Sequence, residues 1–118
     1  MKIKIDPLDT LFSQFIRQRA QGKCEKCKQP REMKALQCSH FHGRRKKSVR
    51  WDEDNASALD FHCHQYFTEN PLEHTEWFKK RLGEKKFKDL NIRANIRVGM
   101  PDKKVLTLYY EQKIKEYE

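Results

Sequence analysis

Leu8, Leu11, Phe12, Phe15 and Ile16 fall at i, i+3, i+4, i+7 and i+8, the spacing of one helix face. Gln14, Arg17 and Gln18 take the other side, so a helix is predicted over 7–20, stopped by Gly22. From residue 31 to 55 that period fades. Two short strands are predicted there, at 35–41 and 48–51, joined by the basic turn Gly43-Arg44-Arg45-Lys46-Lys47. A helix then starts between residues 58 and 60 and carries Phe61, Cys63, His64 and Phe67. Asn70-Pro71-Leu72-Glu73 has the order of a helix start, with Asn at the cap and Pro in the first turn. Trp77, Phe78 and Leu82 line that helix and Gly83 ends it, while Phe87 and Leu90 mark a further short one. Pro101-Asp102 opens the last helix, with the stripe Val105, Leu106, Tyr109, Tyr110, Ile114 and Tyr117. No repeat or low-complexity linker interrupts the chain. Residues 1–118 therefore read as one α+β domain: a core motif over 24–70, the helix 7–20, and a helical part over 71–118.

Composition changes this picture in two ways. At 118 residues, with 36% hydrophobic and 36% charged positions and a mean hydropathy of -1.05, the core is small and a staple is expected. No apolar run approaches the roughly 20 residues of a spanning helix, so a membrane partner is not expected. Lys and Arg outnumber Asp and Glu by 26 to 17, for a net charge of +9. A small basic domain of this kind meets a polyanion, and nucleic acid is the commonest one. Met1 to Pro7 lacks the apolar stretch and small-residue cleavage site of a secretory signal, which points to the cytoplasm.

A reducing compartment makes disulfides a poor reading of the four cysteines. Cys24-x-x-Cys27 is instead a metal knuckle, and Asp60-x-x-Cys63 places two more ligands on the first turn of a helix. Zn²⁺ takes four such ligands in a tetrahedron. Cys24, Cys27 and Cys63 are the strong candidates; Asp60 has the fourth place by spacing, with Cys38 or His62 as alternatives. Bound zinc would also supply the staple, because its binding free energy becomes folding free energy.

A second signal is the order His40, Asn55, His64 around the predicted hairpin and helix. The run Leu36-Gln37-Cys38-Ser39-His40-Phe41, followed by Arg44-Arg45 and by Arg50-Trp51-Asp52-Glu53-Asp54-Asn55, resembles the phage NinG (Rap recombinase-like) proteins of the HNH nuclease superfamily. The resemblance covers about residues 8 to 90, with its specific motifs between Cys24 and Asn70. It implies a ββα-metal unit on a treble-clef zinc knuckle and metal-dependent cleavage of DNA, duplex or branched, in a bacterial host's cytoplasm during recombination. RNA is the other polyanion such a site accepts, and a junction cutter would gain from being a homodimer.

Carried across by position, the resemblance makes His40 the general base that activates water. It makes Asn55 the residue that holds the hairpin and orients that base, and His64 the ligand of a catalytic Mg²⁺ or Mn²⁺. Two positions depart from the superfamily's pattern. Asp60 stands where a cysteine is usual, and Ser39 precedes His40 where many members carry a metal-binding Asp or His. An imidazole with an ordinary pKa of about 6.5 suits a base at neutral pH, and a hard divalent ion stabilises the charge of the phosphorane. Arg44 and Arg45 on the turn are candidates to clamp a phosphate, and His42 to bind phosphate or metal beside them. The alternative to an endonuclease is a non-catalytic zinc-ribbon nucleic-acid binder whose histidines are structural.

Overall fold

The computed structural model describes residues 4–97 and 99–118. Helix α1 (Pro7–Arg19) starts where its sequence says it should: Asp6 Oδ1 accepts from the Leu8 N–H at 2.9 Å and Pro7 takes the first turn. Its apolar face, Leu8, Phe12, Phe15 and Ile16, is buried. The chain reverses through Gln21 and Gly22, both at positive φ (53° and 77°), a conformation that glycine adopts without strain.

Strand β1 (Leu36–His40) pairs antiparallel with β2 (Ala56–Asp60), from Leu36 opposite Asp60 to His40 opposite Ala56. Helix α2 (Phe61–Glu69) follows β2 without a linker, because Asp60 is both the last strand residue and the helix cap. Then come α3 (Pro71–Leu82), α4 (Glu84–Ala94) and α5 (Lys103–Glu116). Among the described residues the fold is thus a two-stranded sheet with five α-helices, the α+β hairpin enclosed by helices that the pattern predicts. None of these helices is long and apolar enough to cross a membrane.

Two apolar clusters hold it. The larger joins α1, α5 and the hairpin through Phe12, Phe15, Ile16, Leu59 and Tyr110. The smaller joins Val49, Phe78, Leu90 and Ala94, with Phe41 stacked on Phe78 at 4.5 Å. The predicted last-helix stripe is only half used: Tyr110 and Ile114 are buried, while Val105, Tyr109 and Tyr117 are exposed.

One predicted element is wrong. Residues 48–51 are not a strand; Lys47–Val49 is a turn of 3-10 helix, and the true second strand begins at Ala56. Val49 and Trp51 are both buried two positions apart, which imitates strand alternation. They reach different clusters, however: Val49 enters the smaller and Trp51 the larger. The real strand, Ala56-Ser57-Ala58-Leu59-Asp60, is buried at every position and so shows no alternation at all.

Candidate metal centre and hairpin histidines

The knuckle is built by backbone. The Lys28 N–H donates to the Cys24 carbonyl at 2.9 Å, and Lys28 turns the chain with φ 63°. Glu25 then splices the knuckle to β2: its N–H donates to the Ala58 carbonyl at 2.9 Å, and its carboxylate accepts from the Ala58 N–H at 2.5 Å. Arg81 and Arg19 neutralise that carboxylate, at 2.9 and 3.8 Å.

This brings together four ligands. Cys24, Cys27, Asp60 and Cys63 place one ligand atom each within 4.8 Å of one another. A tetrahedral Zn²⁺ with Zn–S bonds of about 2.3 Å needs ligand separations of roughly 3.8 Å, so the group fits a metal such as zinc. Burial pushes the Cys24 thiol up, but the N–H groups of Asp60, Cys27 and Lys26 point at its sulfur and bring it below the ordinary range. Burial raises the Cys63 thiol, and the neighbouring Asp60 carboxylate and Cys24 sulfur raise it further. That crowding of like charges is what a bound cation relieves.

Asp60 has three tasks at one carboxylate. Its Oδ1 accepts from the Cys63 N–H at 2.8 Å as the α2 cap, and its Oδ2 faces Cys27 Sγ at 3.4 Å and Arg31 Nε at 3.2 Å. Burial works against its ionisation, yet these bonds hold it down at about 2. The two alternative fourth ligands lie outside the group. Cys38 points from β1 to the α1 side, where burial pushes its thiol up to about 12, and His62 is exposed beside Phe61. We expect Asp60→Cys to tighten zinc binding, because a thiolate is the softer ligand. The zinc-loaded variant should melt at a higher temperature and the zinc-free variant at a lower one, since the cap and the Arg31 pair are lost. Chelator competition and thermal melts test this; an unchanged zinc affinity contradicts Asp60 as a ligand.

Asn55, fully buried, ties the segment between the strands. Its Oδ1 accepts from the His42 N–H at 2.8 Å, and its Nδ2 donates to the His42 and Val49 carbonyls at 2.9 and 3.0 Å. Every hydrogen-bonding position used is backbone, so the loop ends keep one geometry. Asn55 does not touch the His40 ring. It acts on the loop that leads to Arg50, whose carbonyl accepts from His40 Nε2 at 3.0 Å.

The three hairpin histidines share one arrangement. His40 Nε2 meets the Arg50 carbonyl, His42 Nε2 meets Asn91 Oδ1 at 2.8 Å, and His64 Nδ1 meets Gln37 Oε1 at 2.6 Å. Each partner is an acceptor oxygen, so that ring nitrogen is the one that donates. Burial lowers the pKa of His40 and of His64, which keeps both imidazoles neutral near pH 7. They do not converge, however. His40 belongs with Leu36 and Cys38 on the face toward α1, its ring 5.6 Å from that of Phe12. His64 meets Gln37 on the opposite face, the side of Ser39 and α2. Among the described residues, His64 belongs to no group of three or more metal-type ligands.

The two turn arginines are also separated in role. Arg44 Nη1 lies 3.6 Å from Asp9 Oδ2, while among the described residues no salt bridge engages Arg45. Asp9 is the centre of a clasp that sequence inspection missed: it accepts from Arg50 Nε and Nη2 at 3.0 and 2.5 Å and from Trp51 Nε1 at 2.8 Å. The clasp docks the loop on α1, with Trp51 packed in the larger core cluster.

Comparison of the chain with protein-family models, with curated proteins and with solved structures gives no match. The chemistry has to be read from this geometry.

Proposed function

We propose that the protein is a metal-dependent endonuclease of the HNH type, a ββα unit on a zinc-binding knuckle that hydrolyses DNA phosphodiester bonds. The observation that carries this reading is the β1–β2 hairpin running straight into α2 over the Cys24, Cys27, Asp60 and Cys63 cluster, with His40, Asn55 and His64 placed around that unit. His40 and His64 each hydrogen-bond a fixed protein oxygen through one ring nitrogen and are held neutral by burial, which leaves the other nitrogen of each open as a base or ligand. In this reading His40 Nδ1 takes the proton of the attacking water, as its burial and neutral state allow. Asn55 and the Arg50 carbonyl fix the ring that does so. His64 Nε2, oriented by Gln37, is the protein ligand for an added Mg²⁺ or Mn²⁺; when bound, such an ion neutralises charge on the phosphate. Arg45, which no salt bridge engages among the described residues, is the turn residue that would take a phosphate oxygen. Branched substrates and a role in phage recombination rest on the resemblance of the motif.

A second reading is favoured by one observation, that His40 and His64 occupy opposite faces of the hairpin. A zinc-stapled binder without catalysis needs no convergence of the two. The deciding experiment is cleavage of plasmid and branched DNA with added Mg²⁺ or Mn²⁺. Strand breaks that require the added ion support the nuclease; tight binding without breaks under every divalent ion tried supports the binder.

A further inference from the structure

Three surface clefts of this protein adjoin one another through shared lining residues and lie in line as one grooved strip. The first lies between the N-terminus of α1 and the basic turn, lined by Lys4, Arg44, Arg45 and Lys47. The second shares Arg45 and Lys47 with it and adds Lys46, Asn95 and Arg97. The third shares Asn95 with the second and adds Lys79, Lys88 and Asn91 on α3 and α4. Asn91 is the residue that holds His42, so the groove passes along the end of the hairpin that the 41–55 segment closes.

Its charge is uncompensated. The acids near it are already engaged: Asp6 with Lys103 at 2.6 Å, Asp9 with Arg50 at 2.5 Å, and Asp52 and Asp54 with Arg93 at 2.7 and 3.4 Å. Glu84 is the one further acid lining it. Among the described residues, no salt bridge engages Arg45, Lys46, Lys47, Arg97, Lys79 or Lys88. A charge run on one helix face is usually only solvated. Here cations from the N-terminal segment, the turn, α3 and α4 are gathered onto one path, which sequence proximity does not explain.

We propose that this groove is a docking track for the phosphate backbone of a nucleic-acid duplex, running from Lys4 across the basic turn to Lys88. This rests on the reading of the protein as one that acts on or binds nucleic acid, and adds where the backbone lies. A duplex rather than a single strand is the occupant because, among the described residues, the track has no stacking platform. The one aromatic lining it, Phe87, packs into the smaller core cluster against Phe41 and Phe78. The molecule's longest dimension of 36 Å spans about ten base pairs at 3.4 Å each, so a short duplex suffices as probe.

The test is fluorescence anisotropy on a labelled duplex of about 16 base pairs across a salt series, without added divalent ion so that cleavage plays no part. Arg45→Gln/Lys47→Gln and Lys79→Gln/Lys88→Gln should each weaken binding about tenfold and flatten the log K against log salt slope by roughly two. Lys113→Gln/Lys115→Gln, on α5 outside the track, should leave the slope unchanged. Wild-type slopes in both track variants, an equal loss in the α5 variant, or tighter binding to a single strand of the same length overturns the proposal. An effect confined to the turn variant overturns the continuity of the track. If the protein cleaves nothing yet shows the expected pattern, the nuclease reading falls and the track stands. If it cleaves while both track variants keep the wild-type slope, the reverse holds.

Discussion

Stripping the metal with a strong chelator should abolish the cooperative thermal transition of this protein, and Cys63→Ser should do the same. Cys24 and Cys63 are buried, Cys27 is half-buried, and their sulfurs share a space within 4.8 Å with the Asp60 carboxylate. The cluster sits where three parts of the chain meet: the knuckle, the end of β2 and the first turn of α2. The rest of the core is divided into two clusters, and α3, α4 and α5 contribute few buried side chains each. A structural Zn²⁺ contributes about 10–16 kcal/mol of apparent binding energy in small zinc domains, as much as the ~5–15 kcal/mol by which a typical domain is stable. The loss should therefore be global. Metal analysis should find one zinc per chain, with Cys38→Ser keeping both the zinc and the wild-type melt because Cys38 faces α1 instead. A chelated protein that melts at the wild-type temperature would show that the four ligands hold no structural ion.

What could be read ahead of the fold was whatever is local. Helix α1 announces itself through Asp6, Pro7 and its apolar stripe, and the ligand group through two x-x spacings that fix geometry over one turn each. What could not be read depends on pairings distant in sequence. The Asp9 clasp joins residues 41 and 42 positions apart, and neither Asp9 nor Arg50 has a pattern that names the other. Strand β2 was hidden because small residues buried on both faces carry no period, while Val49 and Trp51 mimicked one. Gln37 as the partner of His64, and the separation of His64 from His40, follow from strand register, which a misplaced second strand could not supply. Asn91 and Arg97 were missed for the same reason: only the folded chain lays α4 beside the basic turn.

Changing His40 to Ala should reduce DNA cleavage about 10²–10⁴-fold, the range a positioned general base contributes, with zinc content unchanged. Structural damage should be small. The ring is half-buried, its loss leaves the Arg50 carbonyl without a partner at a cost of about 1 kcal/mol, and the ligand group's Asp60 lies at the other end of the strand pair from His40. His40→Gln separates the two roles: an amide N–H can still reach the Arg50 carbonyl, but no basic nitrogen remains. It should melt like the wild type and cut like His40→Ala. The pH profile adds a test that a structural role would not move. Burial lowers the His40 pKa, and the cationic Arg44 and Arg50 lower it further, against the opposing hydrogen bond to the Arg50 carbonyl and the charge of Asp9. Protonation removes the base, so wild-type activity should fall as pH drops. Because the pKa is depressed, the midpoint should lie below the ordinary value of about 6.5. The residual activity of His40→Ala should lack that limb. A variant that cuts at the wild-type rate, or keeps the acid limb, would move the base to another group, with His42 the next imidazole along the chain.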